Sequence, residues 1–301
     1  MKTKGVPGGF DVVFGFDMET DIGSFTPFYE GVKRGTPRLL SILKKHGAPS
    51  TFFWTGDAAE RHGAMVRRVA RDGHETGCHG LYHETLGDPI FPLPNLPPIL
   101  PSEVEGRIRE ATERVARVSG TRPVSFRCPR LWGSTRVVNV LERLGYRADA
   151  SLPLYYYNKQ TKPYHPSRRD WTKAGNLKML EIPNFCDLAM ESRDPYGRDR
   201  DQWPLFRTRS AAFLGKTIDS FIATVRAKGE RPVLCFYFHP WEFHAMPTGA
   251  LDFGEVKVSP KAFITKHCGV YACRQFDELC ASLKTRGARF ITCKDLAHEY
   301  R

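Results

Sequence analysis

Pro232-Val-Leu-Cys-Phe-Tyr-Phe-His239 is the run whose reading decides the fold. After the proline it is apolar or aromatic throughout, with no polar alternation. That is the pattern of a strand buried on both faces, as in a parallel sheet. The run ends on an imidazole. The same arrangement recurs upstream. Val12-Val-Phe-Gly-Phe16 runs into Asp17 and Glu19, the strand-like segment from His74 runs into His79, and Ser125-Phe126 runs into Arg127. In parallel barrels the C-terminal strand ends meet on one face, where functional groups gather. Apolar runs that each end on a carboxylate, an imidazole or a guanidinium are therefore read as one constellation.

Amphipathic stretches lie between these runs. The spacing predicts helices over 36–46, 57–71, 102–119, 136–144, 210–228, 271–286 and 295–300, and further strands over 50–55, 74–79, 146–149, 178–182 and 289–292. Gly47 and Gly73 follow helical segments as stops. Ser102-Glu-Val-Glu105 reads as a capping box. In the 210–228 segment, Phe213, Ile218, Phe221, Ile222 and Val225 fall mostly on one side. Strands alternating with helices predict an α/β fold with a mostly parallel sheet, closed as a barrel or doubly wound. No internal repeat or linker divides the chain, so residues 1–301 are expected to form a single domain. Four irregular stretches, 86–101, 153–176, 184–208 and 243–269, read as long loops. Prolines at 89, 92, 94, 97, 98 and 101 deny the first of them regular hydrogen bonding. Loops this long are uncommon without a function.

Composition narrows the possibilities. The chain has 301 residues, 41% of them apolar, enough for a substantial core. No apolar run could span a bilayer, so a membrane partner is not expected. The first nine residues, Met1-Lys-Thr-Lys-Gly-Val-Pro-Gly-Gly9, lack the apolar core of an export signal, and the expected location is the cytoplasm. The eight cysteines contain no Cys-x-x-Cys pair and read as free thiols. Net charge is +12, but the basic residues are scattered rather than interleaved with aromatics. A solvated basic surface is the plain reading, an anionic substrate the second, and nucleic acid is set aside.

The centre of the constellation is His74-Glu-Thr-Gly-Cys-His79-Gly-Leu-Tyr-His83, followed by Glu84. Two imidazoles four positions apart need one carboxylate and a water to make an open metal site. Gly80 stands where the His-Glu-x-x-His motif of helical zinc proteases has glutamate, so that motif is excluded. Each piece also has a bland reading. Asp17-Met-Glu19 could cap a turn, His79 and His83 could be a surface pair, Arg127 an ion-pair partner and His239 a core histidine. Trp241 and Tyr155 to Tyr157 could simply pack. Their common position at strand ends favours function.

In chain order, Phe16-Asp-Met-Glu19, Gly73-His-Glu-Thr-Gly-Cys-His-Gly-Leu-Tyr-His-Glu84, Pro123-Val-Ser-Phe-Arg-Cys-Pro129 and Phe238-His-Pro-Trp-Glu242 resemble the motifs of the polysaccharide deacetylase (NodB-homology) family, carbohydrate esterase family 4. The resemblance runs from about residue 12 to 296. It implies a distorted parallel (β/α) barrel and a metal-dependent hydrolase of acetylated sugars. The family's common first motif has adjacent aspartates, whereas here Met18 separates Asp17 from Glu19. This Asp-x-Glu form resembles the branch with peptidoglycan deacetylase-like, allantoinase-like and cyclic imide hydrolase proteins. The third motif continues as Arg130-Leu-Trp132-Gly133 instead of an aromatic and glycine, and Tyr237 stands where a leucine usually shapes the acetyl pocket. Asp170-Trp171 is a poor match to the family's Asp-Trp motif.

The resemblance implies roles. Glu19, His79 and His83 would hold a divalent metal, with Asp17 as the base or a further ligand. Two imidazoles and a carboxylate suit Zn2+, with Co2+ or Mn2+ as substitutes. Arg127 would pair with Asp17, and His239 would be the general acid. Cys78 and Cys128 read as packing residues rather than nucleophiles. Tyr82, Trp132, Tyr237, Trp241 and the proline-rich loop would line the substrate cleft, and the basic 153–176 segment would meet an anionic substrate.

The expected function is N-deacetylation of an N-acetylated amino sugar or a related small metabolite, the substrate being a small molecule or an oligosaccharide. Ring opening of a cyclic imide or ureide is the first alternative, and a metal-free binding protein that kept the fold the second. A homo-oligomer is compatible with the sequence.

Overall fold

A computed structural model describes residues 9–93, 96–254 and 256–300. The first eight residues of the N-terminal reading, and Pro94 of the proline-rich stretch, lie outside the described residues. The sheet strands are β1 (Phe10–Met18), β2 (Thr51–Trp54), β3 (Glu75–Cys78), β4 (Ser125–Phe126), β5 (Ala148–Asp149), β6 (Leu180–Glu181) and β7 (Val233–Phe238). A hairpin of β8 (Leu251–Asp252) and β9 (Lys257–Val258) stands apart, and β10 (Ala288–Phe290) returns to the sheet.

Every pairing in the main sheet is parallel. β1 pairs with β7 along one edge. Its other edge pairs first with β10, at Phe10 to Val12, and then with β2, at Gly15 to Met18. From β2 the ladder continues through β3, β4 and β5 to β6. Asn184, just beyond β6, bridges Pro153 and Cys235 in parallel and carries the curled sheet back to β7. The result is the expected distorted parallel barrel.

Alternation along the strands sorts side chains into two cores. Val13, Phe53, Ala148, Ala150, Leu180, Ile182, Val233 and Cys235 fill the barrel. Ile291, Leu296 and Ala297 close its lower end, where the helix Cys293–Glu299 docks. That helix is tied to the strand starts, because the amides of Cys293 and Lys294 donate to Thr51 and to the Glu75 carboxylate. Phe14, Phe16, Phe52, Phe236 and Phe238 face outward under the helices, with ring centroids 4.9 to 6.0 Å apart. Aromatic pairs at such separations add to the stabilisation from burial alone.

The helix Thr36–His46 has the expected bounds, and left-handed Gly47 closes it by donating to Leu43 and Lys44. Other expectations need correcting. The 57–71 helix is two, Gly56–Arg61 and Gly63–Arg71, because His62 leaves helical geometry between them. The Ser102–Glu105 capping box does not form. The helix begins at Val104, and Glu105 pairs instead with Arg109 and Arg143. Phe213 is exposed beneath Arg209 rather than on the buried side of its helix. Two of the long loops hold short elements: a helical turn Leu205–Thr208 in one, and in the other the β8–β9 hairpin with the turn Ala262–Thr265. All eight cysteines are free thiols.

Asp149 and Glu181 are register partners on β5 and β6, both fully buried. Burial pushes Asp149 from 3.8 up to about 6. Burial, and then Asp149 itself, holds Glu181 well above the usual carboxylate range. A folded state that binds the extra proton loses stability as pH rises from 3.8 through about 6. Asp149→Asn is therefore expected to flatten the fall of the urea midpoint across that window, relative to the unsubstituted chain.

Gly15 is required by a close approach. A Cβ there would lie 2.2 Å from Arg127 Nη1 and 2.7 Å from its Cζ. Gly15→Ala is expected to cost roughly 1–3 kcal/mol or more by overpacking. Exposed helical Gly106, with nothing near its Cβ, gains roughly 0.5–1 kcal/mol on the same change. Denaturant unfolding of the two variants checks both signs.

Candidate metal and acid–base site

Met18, Trp54, Cys78 and Phe126 are register partners on β1 to β4, so the next residues, Glu19, Thr55, His79 and Arg127, emerge together at the strand ends. Phe16 pairs with Phe238, which brings His239 beside Asp17 from the other edge of β1. The turn after His79 returns the second imidazole. Gly80 takes φ +78°, His83 takes φ +65°, and the Glu84 carboxylate accepts from the amides of Leu81 and Tyr82.

Glu19 Oε2 lies 2.5 Å from His83 Nε2 and 3.5 Å from His79 Nε2. One ligand atom from each of these three buried residues lies within 4.8 Å of the others. Neither Glu19 oxygen, nor His79 Nε2, has an aligned hydrogen-bond partner despite full burial. Buried polar atoms left in this way are costly unless something satisfies them, and a divalent cation matches the donor set. His79 Nδ1 bonds the Arg127 carbonyl oxygen at 2.8 Å, which fixes the tautomer and leaves Nε2 for a ligand. Burial pulls His83 down against the pull of Glu19, favouring the neutral imidazole that a ligand must be. Burial pushes Glu19 up, but His83, His79 and His239 outweigh it and hold its carboxyl well below the usual range.

Asp17 stands beside this cluster rather than within it, its Oδ2 3.9 Å from His79 Nε2. Its other oxygen accepts from Arg127 Nη1 at 3.0 Å. Arg127 is fully buried. It also donates from Nε to the Ala150 carbonyl and from Nη2 to Asn184 Oδ1 and the Phe236 carbonyl. His239 Nε2 lies 3.9 Å from Glu19 Oε1, and its Nδ1 is held by Glu242 at 3.1 Å. Burial alone would lower His239, but Glu242 and Glu19 raise it above an ordinary histidine.

Glu242 is itself held by Arg207 Nε at 2.5 Å and by Trp203 Nε1 at 2.9 Å. Arg207 is fully buried and donates onward to the Phe263, Ile264 and Lys266 carbonyls. Sequence reasoning quoted Glu242 within a motif without giving it a role, and missed Arg207, Trp203 and Asn184. Arg207 and Trp203 lie in an irregular stretch where no periodicity marks them. Removing one partner of a buried pair costs roughly 3–5 kcal/mol. Glu242→Gln is expected to lower stability on that scale in urea unfolding.

The aromatic expectations divide. Trp241 stacks on His239 at 5.1 Å and 25°, and Trp203 meets His239 edge-on at 5.4 Å. Tyr237 stacks with Trp203 and donates its hydroxyl to Asp201. Trp132 is buried, with Phe91 of the proline-rich stretch edge-on at 5.1 Å. Trp132 and Trp241 are thus packed walls rather than open platforms. Tyr82 is exposed, and its ring lies under Arg114 rather than in the group around His239. Asp170 binds Thr172 and Lys173 in a local turn away from the site. The 153–176 segment is split. Tyr155 accepts from Arg200 near Asp201, while His165 and Gly175 line a cavity of about 690 Å³ with Tyr300, which follows the helix closing the lower end of the barrel.

Comparison with known proteins agrees with this geometry. The polysaccharide deacetylase family model matches residues 18–148, the span that carries Glu19, His79, His83 and Arg127. A chitooligosaccharide deacetylase of Azorhizobium caulinodans is 33% identical over 113 residues, 37% of this chain and 49% of that protein. A peptidoglycan-N-acetylmuramic acid deacetylase of Bacillus subtilis is 28% identical over 125 residues, 41% of this chain and 44% of that protein. The chain thus spans less than half the length of these curated relatives. The solved structure of an allantoinase superposes with a TM-score of 0.62 at 15% identity, covering 96% of this chain and 89% of that one, which is a likeness of fold. The match to the polysaccharide deacetylase family model thus falls on the segment whose motifs stand at the strand ends of the barrel.

Proposed function

We propose that this chain is a metal-dependent hydrolase of a C–N bond that removes the acetyl group from an N-acetylated amino sugar or a related small metabolite. The observation that carries the reading is the buried trio of Glu19, His79 and His83, in which both Glu19 oxygens and His79 Nε2 lack aligned hydrogen-bond partners, with Asp17 on one side and His239 on the other. Zn2+ is the metal that best suits two imidazoles and a carboxylate. When bound, such a metal lowers the pKa of water to about 7 and polarises an amide carbonyl.

The protein's own groups supply the rest. Asp17 Oδ2 faces the cluster and takes the proton of the attacking water, while Arg127 fixes the carboxylate through Oδ1. Glu242 holds His239 by Nδ1, so Nε2 points toward Glu19 and can protonate the leaving nitrogen as the C–N bond breaks. Trp241 and Trp203 close the side of the imidazole and keep it in that orientation. No serine or cysteine nucleophile is required, and burial raises the thiols of Cys78 and Cys128 away from reactivity.

Opening of a cyclic imide or ureide is the second reading. The observation in its favour is Tyr237, which with Asp201 makes one wall polar where an acetyl methyl would meet an apolar one.

The test compares metal content and hydrolysis of N-acetylglucosamine oligomers and of succinimide. His79→Ala is expected to lose the metal and the activity together. Asp17→Asn is expected to keep the metal while kcat falls by about 10²–10⁴-fold, the usual value of a general base. Retained activity in metal-stripped protein would overturn the reading, and turnover of succinimide alone would select the second one.

A further inference from the structure

The geometry points to Arg130 as the residue that receives an anionic group, a carboxylate, carried by the substrate of this site; the inference names the substrate class and rests on the proposed reaction. Arg130 follows the Arg127-Cys-Pro129 motif, and no role was expected for it. Three observations single it out.

The first is backbone strain. Arg130 and Leu131 take left-handed φ values of 62° and 59° in succession, and His83 takes 65°. Only two other non-glycine residues of the described chain, Ile22 and His267, do so. Such conformations persist where the surrounding structure imposes them, and they gather at functional sites.

The second is where the strain sends the guanidinium. Arg130 Nη1 donates to the His83 carbonyl at 3.0 Å and reaches Thr85 Oγ1 at 3.5 Å. One arm thus anchors the group at a metal-ligand candidate. Nε and Nη2, the edge suited to a two-point carboxylate contact, are not used in that anchoring.

The third is charge balance. Arg130 is partly buried, and among the described residues no carboxylate lies within 4.0 Å of its guanidinium. A cation partly withdrawn from water without a paired anion is costly, and a substrate carboxylate would relieve the cost. Beyond it the wall continues through Trp132, 5.7 Å from the guanidinium, to Phe91, over which Arg198 lies at 4.2 Å. A second guanidinium therefore stands at the outer end of the same wall.

The experiment uses the full chain loaded with Zn2+ and two probes, N-acetylmuramic acid, which carries a carboxylate, and N-acetylglucosamine, which does not. Binding is read by calorimetry, hydrolysis by acetate release, and metal content alongside. The unsubstituted chain is expected to bind the acid about 10–100-fold more tightly, the scale of a charge-assisted hydrogen-bonded pair. In Arg130→Met that ratio collapses toward one because the acid probe loses more, and Arg130→Lys recovers part of it. Equal binding of both probes by the unsubstituted chain overturns the inference. So does loss of zinc, or an equal loss for both probes, in Arg130→Met, since Arg130 would then only position His83. A binding preference that persists while neither probe is hydrolysed upholds the anion site and overturns the proposed reaction instead.

Discussion

The buried guanidinium of Arg127 is the constraint on which both barrel and site depend. It occupies the buried centre of the barrel 4.4 Å from the Phe53 ring, in space that Gly15 leaves open on β1. Its hydrogen bonds reach Asp17 at the end of β1, Ala150 after β5, Asn184 at the closure and Phe236 on β7. A buried charge is weak evidence for net stability, but breaking such a set is expensive. Its value here is positional. The side chain orients the carboxylate of Asp17, and the carbonyl of the same residue fixes the tautomer of His79. One residue therefore sets the geometry of both the proposed base and a candidate ligand.

The opposite side repeats the logic with different parts. His239 is held at Nδ1 by Glu242, Glu242 by Arg207, and Arg207 by three carbonyls of the 263–266 turn. Both His79 and His239 are pinned at Nδ1, so both present Nε2 to the space around Glu19. Supporting groups of this kind set ring orientation as strictly as the ligands set composition. The difference lies in charge. A neutral carbonyl supports the ligand candidate His79, whereas a carboxylate supports His239 and raises its proton affinity, as a general acid requires.

What was legible in the sequence follows from periodicity. Glu19, His79 and Arg127 each stand one residue past a buried strand, and in a parallel register that places them together. The apolar runs and the helix stops carried the barrel in the same way. Asn184, Arg207 and Trp203 were not legible, because they act from irregular segments whose course is set by tertiary contacts. Ser102 to Glu105 fits a capping box by spacing, yet arginines on two helices hold Glu105 instead. Tyr82 lies between the two imidazoles in sequence, but its ring turns outward to Arg114. Short spacing says which residues are neighbours and not which way their side chains leave the turn.

The most direct measurement is a crystal structure of the Zn2+-soaked protein with anomalous scattering recorded at the zinc edge. The account predicts one strong peak about 2.0–2.2 Å from Glu19 Oε, His79 Nε2 and His83 Nε2, the ordinary zinc–ligand range, with Asp17 outside bonding distance and still paired with Arg127. No peak at this cluster, or a metal bound elsewhere, would contradict it.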